Sequence, residues 1–167
     1  IAILFMFIKI TMGFKDMFEK GLSLETAHSI WITIPILTLL GITFIRISFG
    51  LEHHFATPLA KSSLFVLTSV VLSLQIIFGV LGYMIMKKMD YFTKYIESTN
   101  KSAISFALIC PGVAFMVFGM FFINYGLAYN NIIDKYSIAY FIFMLPFIYI
   151  QMKTIIYFFK LYKKFEF

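Results

Sequence analysis

Four apolar runs, each about the length needed to cross a bilayer, dominate this sequence. They are roughly Ser29–Gly50, Ser62–Met86, Ala103–Ala128 and Tyr136–Phe159, and polar or charged residues bound each one. A spanning helix needs about 20 predominantly apolar residues. Hydrophobic residues make up 61% of the chain and mean hydropathy is +0.91, against roughly 45–50% apolar residues in a soluble domain. The expectation is an all-α polytopic transmembrane helical bundle, a single transmembrane domain over residues 1–167.

The chain opens Ile1-Ala-Ile-Leu-Phe-Met-Phe-Ile-Lys9. This stretch is too short to span, and it lacks the charged flank and small-residue cleavage site of a signal peptide. It reads as a truncated N-terminal helix ahead of four complete ones, in the C-terminal part of a larger membrane protein. No linker, repeat or low-complexity stretch divides it. Aromatic content of 20% suits lipid contact and interfacial anchoring.

The net charge of +6 is explained by topology and not by nucleic-acid binding. Alternating loops put Lys15, Lys20, Lys87, Lys88, Lys94, Lys101, Lys160, Lys163 and Lys164 on one side and Arg46, Lys61 and Lys135 on the other. Cytoplasmic loops carry the Lys/Arg excess. The C-terminus is therefore expected in the cytoplasm and the protein in the cell (inner) membrane. Cys110 is the single cysteine, so no internal disulfide forms. No pair of cysteines and no HExxH pattern indicates zinc.

In the first run, Pro35 removes a backbone donor, and Thr38, Gly41 and Ser48 lie close to one face. Such a face suits helix packing or a pathway. Arg46, about one turn before the end of the run, either snorkels to the interface or attracts anions. Glu52, His53 and His54 follow it. His28 and the His53–His54 pair bracket the run at opposite ends, so one metal cannot hold all three. They read as interfacial, and no cofactor or metal is expected. In the second run, Thr68, Gln75, Gly79 and Gly82 lie near one face, and the mid-membrane Gln75 is expected to join helices by hydrogen bonds.

The third run is the most patterned. Ser105, Gly112, Gly119 and Gly126 recur every seven residues, a spacing that drifts only about 20° per repeat. Leu108, Phe115, Phe122 and Tyr129 form a row beside them, and Cys110, Val117 and Asn124 another. Pro111-Gly112 should kink or unwind the helix. A broken helix in a membrane needs protein or a water-filled cavity around it, and such breaks often mark transport sites. Cys110 precedes the break and is the candidate redox thiol; the alternative is an inert buried one. The fourth run carries Pro146, Gln151 and Lys153, with Lys153 expected to snorkel to the basic end.

The stretch Ser102-Ala-Ile-Ser-Phe-Ala-Leu-Ile-Cys-Pro-Gly-Val-Ala-Phe-Met-Val-Phe-Gly, with the closing hairpin, resembles the end of the TehA family. These are slow-type anion channels and tellurite-resistance/dicarboxylate transporters. The run from Trp31 to His54 is similar to a helix and exit loop of that family. The Cys-Pro-Gly element also resembles TsoY-type membrane proteins, some of which carry selenocysteine. The TehA resemblance implies a ten-helix bundle of five hairpins around a central pore, of which this chain is the C-terminal half. Ala103–Ala128 and Ser29–Gly50 would be inner, kinked helices. Pro146 on an outer helix departs from that pattern. The family's gating phenylalanine falls on an earlier helix, and a homotrimer is implied.

These features together point to an integral membrane transport protein, a passive channel or transporter for small anions or organic acids. Few fixed charges let a permeating ion leave, and no Asp or Glu occurs within the four runs. Pathway candidates are Pro35, Thr38, Arg46, Pro111, Gly112, Phe115, Gly119, Phe122 and Asn124. The competing readings are a membrane redox protein working through Cys110 and a haem-binding subunit using His28 or His53. No hydrolase or transferase constellation is visible, so no enzyme is expected outside the redox reading.

Overall fold

Each apolar run forms one long helix in the computed structural model, which describes residues 8, 11, 12, 15, 27–55, 60–98 and 103–165. Of the opening stretch Ile1–Lys9, only Ile8 is described, and Lys20 and Lys101 also lie outside the described residues. The helices are α1 (Thr33–Phe55), α2 (Lys61–Lys88), α3 (Ile109–Phe121) and α4 (Ile138–Phe165). No strand occurs among the described residues. With their flanking turns they make four spans of 26 to 28 residues with mean hydropathy of 1.6 to 2.5. The chain is a multi-pass membrane protein.

Two helices are not α-helical throughout. A 3-10 segment, Ala27–Ile32, leads into α1, and another, Ala103–Leu108, leads into α3. In both, a proline (Pro35 or Pro111) follows in the first turn of the α-helix. A proline cannot donate to the carbonyl four residues back, and its ring crowds that carbonyl. Tightening the preceding turns to 3-10 bonding gives those carbonyls other donors. The unwinding expected at Pro111-Gly112 is thus displaced to the residues before it. A π-helical segment, Phe122–Ala128, continues α3 at its other end. Pro146 sits inside α4, which continues through it, and its ring is exposed.

α3 is the centre of the bundle. It runs parallel to α1, with the Thr38 hydroxyl donating to the Ala114 carbonyl (3.1 Å) and the Phe118 ring filling the space over Gly41. It runs antiparallel to α4, with Gly112 against Thr154 and Gly119 against Phe147. Its π-helical end meets α2 where Gly126 faces Thr68. α1 and α2 pack antiparallel: the Trp31 indole covers Gly82 and donates to the Gly79 carbonyl (2.9 Å). Small residues let these backbones approach closely. In the α4 span only 11% of residues are buried, against 39% in that of α3. α4 therefore lies at the edge of the four helices, which leave most of its surface uncovered.

One polar knot interrupts the apolar interior. The Gln75 amide donates to the Thr38 hydroxyl (2.8 Å) and to the Ile34 carbonyl (3.3 Å). Thr38 in turn reaches α3, so three helices are joined at mid-span as the isolated glutamine implied. Such bonds contribute about 0.6 to 2 kcal/mol each in a membrane.

A second cluster closes the lysine-rich end. Ala27, Met86, Tyr91, Ile96, Leu108 and Leu161 are buried together there. A π-helical segment, Phe92–Glu97, crosses it, and the Lys164 ammonium donates to the Tyr95 carbonyl (2.8 Å). Tyr91 and Ser105 share a buried hydrogen bond of 3.2 Å. Burial pushes the Tyr91 phenol above its ordinary value of 10.0. A raised phenol favours the neutral, folded form. Its contribution is complete below about pH 10 and is lost as pH rises through the folded value. Tyr91→Phe leaves the Ser105 hydroxyl without this partner. It is expected to lower stability by about 1 kcal/mol and to blunt alkaline unfolding, read by thermal melts in detergent across pH.

Candidate functional site

The end of the bundle away from the lysine cluster carries a basic, aromatic rim. Its floor is the α3 end, where Phe121, Tyr125 and Tyr129 follow one another at four-residue spacing and so share a face. Arg46 comes from α1 and lies over the Phe121 ring, 5.9 Å from its centroid. Lys61 begins α2 and lies over the Tyr129 ring at 5.1 Å. Lys135 comes from the turn between α3 and α4. Two neighbouring cavities, of about 350 and 250 Å³, share Tyr129 and Lys135 in their walls. The larger also includes Lys61 and Asp134, and the smaller Phe121, Asn124 and Tyr125.

Local chemistry positions these groups. α1 does not stop at Gly50 but continues through Glu52, His53 and His54 to Phe55. Arg46 therefore stands more than two turns from the helix end, deeper than its place in the apolar run suggested. Its guanidinium is exposed beside a ring face, where the cation meets the negative face of the π system, an attraction of about 0.5–1 kcal/mol at an exposed site. Phe49 packs against both Tyr125 and Tyr129, with centroids 5.3 and 5.6 Å away. The Asn124 amide donates to the Met120 carbonyl (2.8 Å), and its oxygen accepts from the Tyr140 hydroxyl (3.4 Å). π-helical turns such as Phe122–Ala128 are rare and often occur at functional sites.

The pathway candidates separate into two groups. Gly112, Phe115, Gly119 and Phe122 face packed protein. Gly112 meets Thr154, and Gly119 meets Phe147. The Phe115 ring lies 5.1 Å from that of Phe147, and Phe122 packs against a cluster containing Val71 and Leu72. The stripe of small residues is the seam between α3 and its neighbours. Thr38 and Pro111 are buried and Pro35 is half-buried. The second group, Arg46 and Asn124, lies at the rim.

Cys110 is exposed, on the side of α3 that also exposes Val113 and Val117. His53 and His54 are exposed neighbours with rings 5.4 Å apart. Among the described residues no group of three or more potential ligands could hold a metal. In the sequence, Lys61 and Lys135 register only as charges on one side of the membrane. The four-residue spacing of Phe121, Tyr125 and Tyr129 was the available sign of an aromatic ledge. The convergence of three distant cations on it had no sign in one dimension. No protein-family model, curated protein or solved structure matches this chain.

Proposed function

We propose that this chain belongs to a membrane channel or transporter for small anions or organic acids, and that the rim is its anion-collecting mouth. The observation that carries this is the convergence of Arg46, Lys61 and Lys135, from three separate segments, on the aromatic ledge of Phe121, Tyr125 and Tyr129, which spans the π-helical segment and its two flanks. A cluster of one sign of charge beside low-dielectric walls raises the local concentration of counter-ions. Glu52 and Asp134 moderate that charge without cancelling it. Moderate attraction suits conduction, because an ion held tightly does not leave. From the rim, the passage follows the exposed side of α3 past Val117 and Val113 toward Cys110. No Asp or Glu lies on α2, α3 or α4, which favours passive movement over a proton-coupled cycle built on a carboxylate relay.

The resemblance to slow-type anion channels supports the same reading. The lysine excess at the opposite end supports placing that end, and with it the C-terminus, in the cytoplasm.

The test is anion flux into liposomes carrying the full-length protein. Arg46→Gln/Lys135→Gln is expected to lower influx from the rim side by about ten-fold at low ionic strength, with the deficit shrinking as salt screens the field. Arg46→Lys should keep most of the flux. Unchanged flux in the double variant, or equal permeability to cations, would remove the proposal.

A further inference from the structure

We infer that the lysine-rich end is a docking surface for an anionic phospholipid headgroup, seated in the notch between the end of α4 and the π-helical segment Phe92–Glu97. That segment behaves as an interfacial strip. Ile96 is buried, Phe92 and Tyr95 are half-buried in the apolar cluster beneath, and Thr93, Lys94 and Glu97 are exposed. It follows directly on the end of the second span at Lys88.

α4 extends past the apolar run that ended at Phe159, reaching Phe165. The extra turns place Lys160, Lys163 and Lys164 beyond the apolar window. Lys164 is anchored by its bond to the Tyr95 carbonyl, which fixes an ammonium at the notch while leaving it further donors. Lys160 lies one turn back on the same face and is exposed. Lys87, Lys88 and Lys94 add to the positive charge of this end, and Asp90 and Glu97 are the acids between them.

The surroundings select a lipid over a free anion. Phe92 of the π-helical segment and Tyr157 of α4 meet at the notch with ring centroids 6.1 Å apart, both half-buried. Aromatic rings at this level are the usual neighbours of headgroups. One turn below Lys160 on the same face, the exposed Ile156 offers an acyl chain an apolar surface. A preference for lysine on the cytoplasmic side accounts for the sign of the charge. It does not account for an ammonium fixed to a backbone carbonyl beside an aromatic pair to which both elements contribute.

The experiment compares lipid co-purification from vesicles of phosphatidylglycerol and phosphatidylcholine, mixed or phosphatidylcholine alone, using the full-length protein and native mass spectrometry. Phosphatidylglycerol should be retained preferentially. Retention should fall about five-fold for each lysine neutralised in Lys160→Gln/Lys163→Gln, a variant that leaves the Lys164 bond in place. Lys160→Arg/Lys163→Arg should restore it. Equal retention of the two lipids, or no loss in the glutamine variant, would overturn the inference. Displacement of bound phosphatidylglycerol by inorganic phosphate alone would overturn it too, by marking a site for soluble anions.

Discussion

Gly119→Leu is expected to separate α4 from α3. A Cβ at this position overlaps the Phe147 ring, and both residues are buried. No flexible chain end can move aside, because Phe147 also packs against Phe115. Overpacking a filled contact costs about 1–3 kcal/mol, and a branched side chain against a ring lies at the upper end. α4 is buried over so little of its length that this contact is a large part of its attachment. The measurement is thermal unfolding and proteolysis of the α3–α4 turn in detergent. Gly119→Ala paired with Phe147→Leu should recover much of the loss, since the shorter side chain makes room. Wild-type stability of Gly119→Leu would show that the two helices do not meet here.

Gln75→Glu is expected to make assembly strongly pH-dependent. Gln75 is fully buried at mid-span, and its side-chain oxygen accepts no hydrogen bond among the described residues. Its amide donates to Thr38 and to the Ile34 carbonyl. A protonated glutamic acid can donate one of these bonds, whereas a carboxylate can donate neither. Burial raises the folded-state carboxyl pKa, so stability is present at low pH and lost as pH rises through that raised value. A charged acid at a helix centre costs about 2.5–3.5 kcal/mol on insertion scales. The variant should therefore melt near the parent at acidic pH and well below it at neutral pH. Gln75→Leu, which removes the amide and the unpaired oxygen together, should show little pH dependence. A Gln75→Glu protein as stable at neutral as at acidic pH would place residue 75 in contact with water.

The spans were legible because hydropathy reports where lipid is. The ends were not, because it does not report where backbone bonding stops. α1 carries its hydrogen bonds through Glu52, His53 and His54, and α4 through Lys160, Lys163 and Lys164. In both cases polar side chains reach water while the backbone stays helical. Seven-residue spacing identified the face of α3 that holds Ser105, Gly112, Gly119 and Gly126, but spacing is silent about what covers a face. Thr154 and Phe147 of α4 and Thr68 of α2 cover it. Pro35 and Pro111 were readable as interruptions. The 3-10 geometry ahead of each depends on which carbonyls need new partners, and that is set in three dimensions. The rim combines residues from the first helix, the start of the second and the last turn. Each of its cations, taken singly, looks like an ordinary interfacial residue.

The two 3-10 segments have a mechanical consequence. Each residue in a 3-10 turn advances about 2.0 Å and turns about 120°, against about 1.5 Å and 100° in an α-helix. Rewinding Ala27–Ile32 or Ala103–Leu108 into α-helix would shorten that strut by about 3 Å and rotate whatever precedes it by about 120°. The two segments touch each other, so neither can screw inward without dragging on its neighbour. The Arg46 end holds no 3-10 segment among the described residues. The two segments able to change length in this way thus sit together at the lysine-rich end.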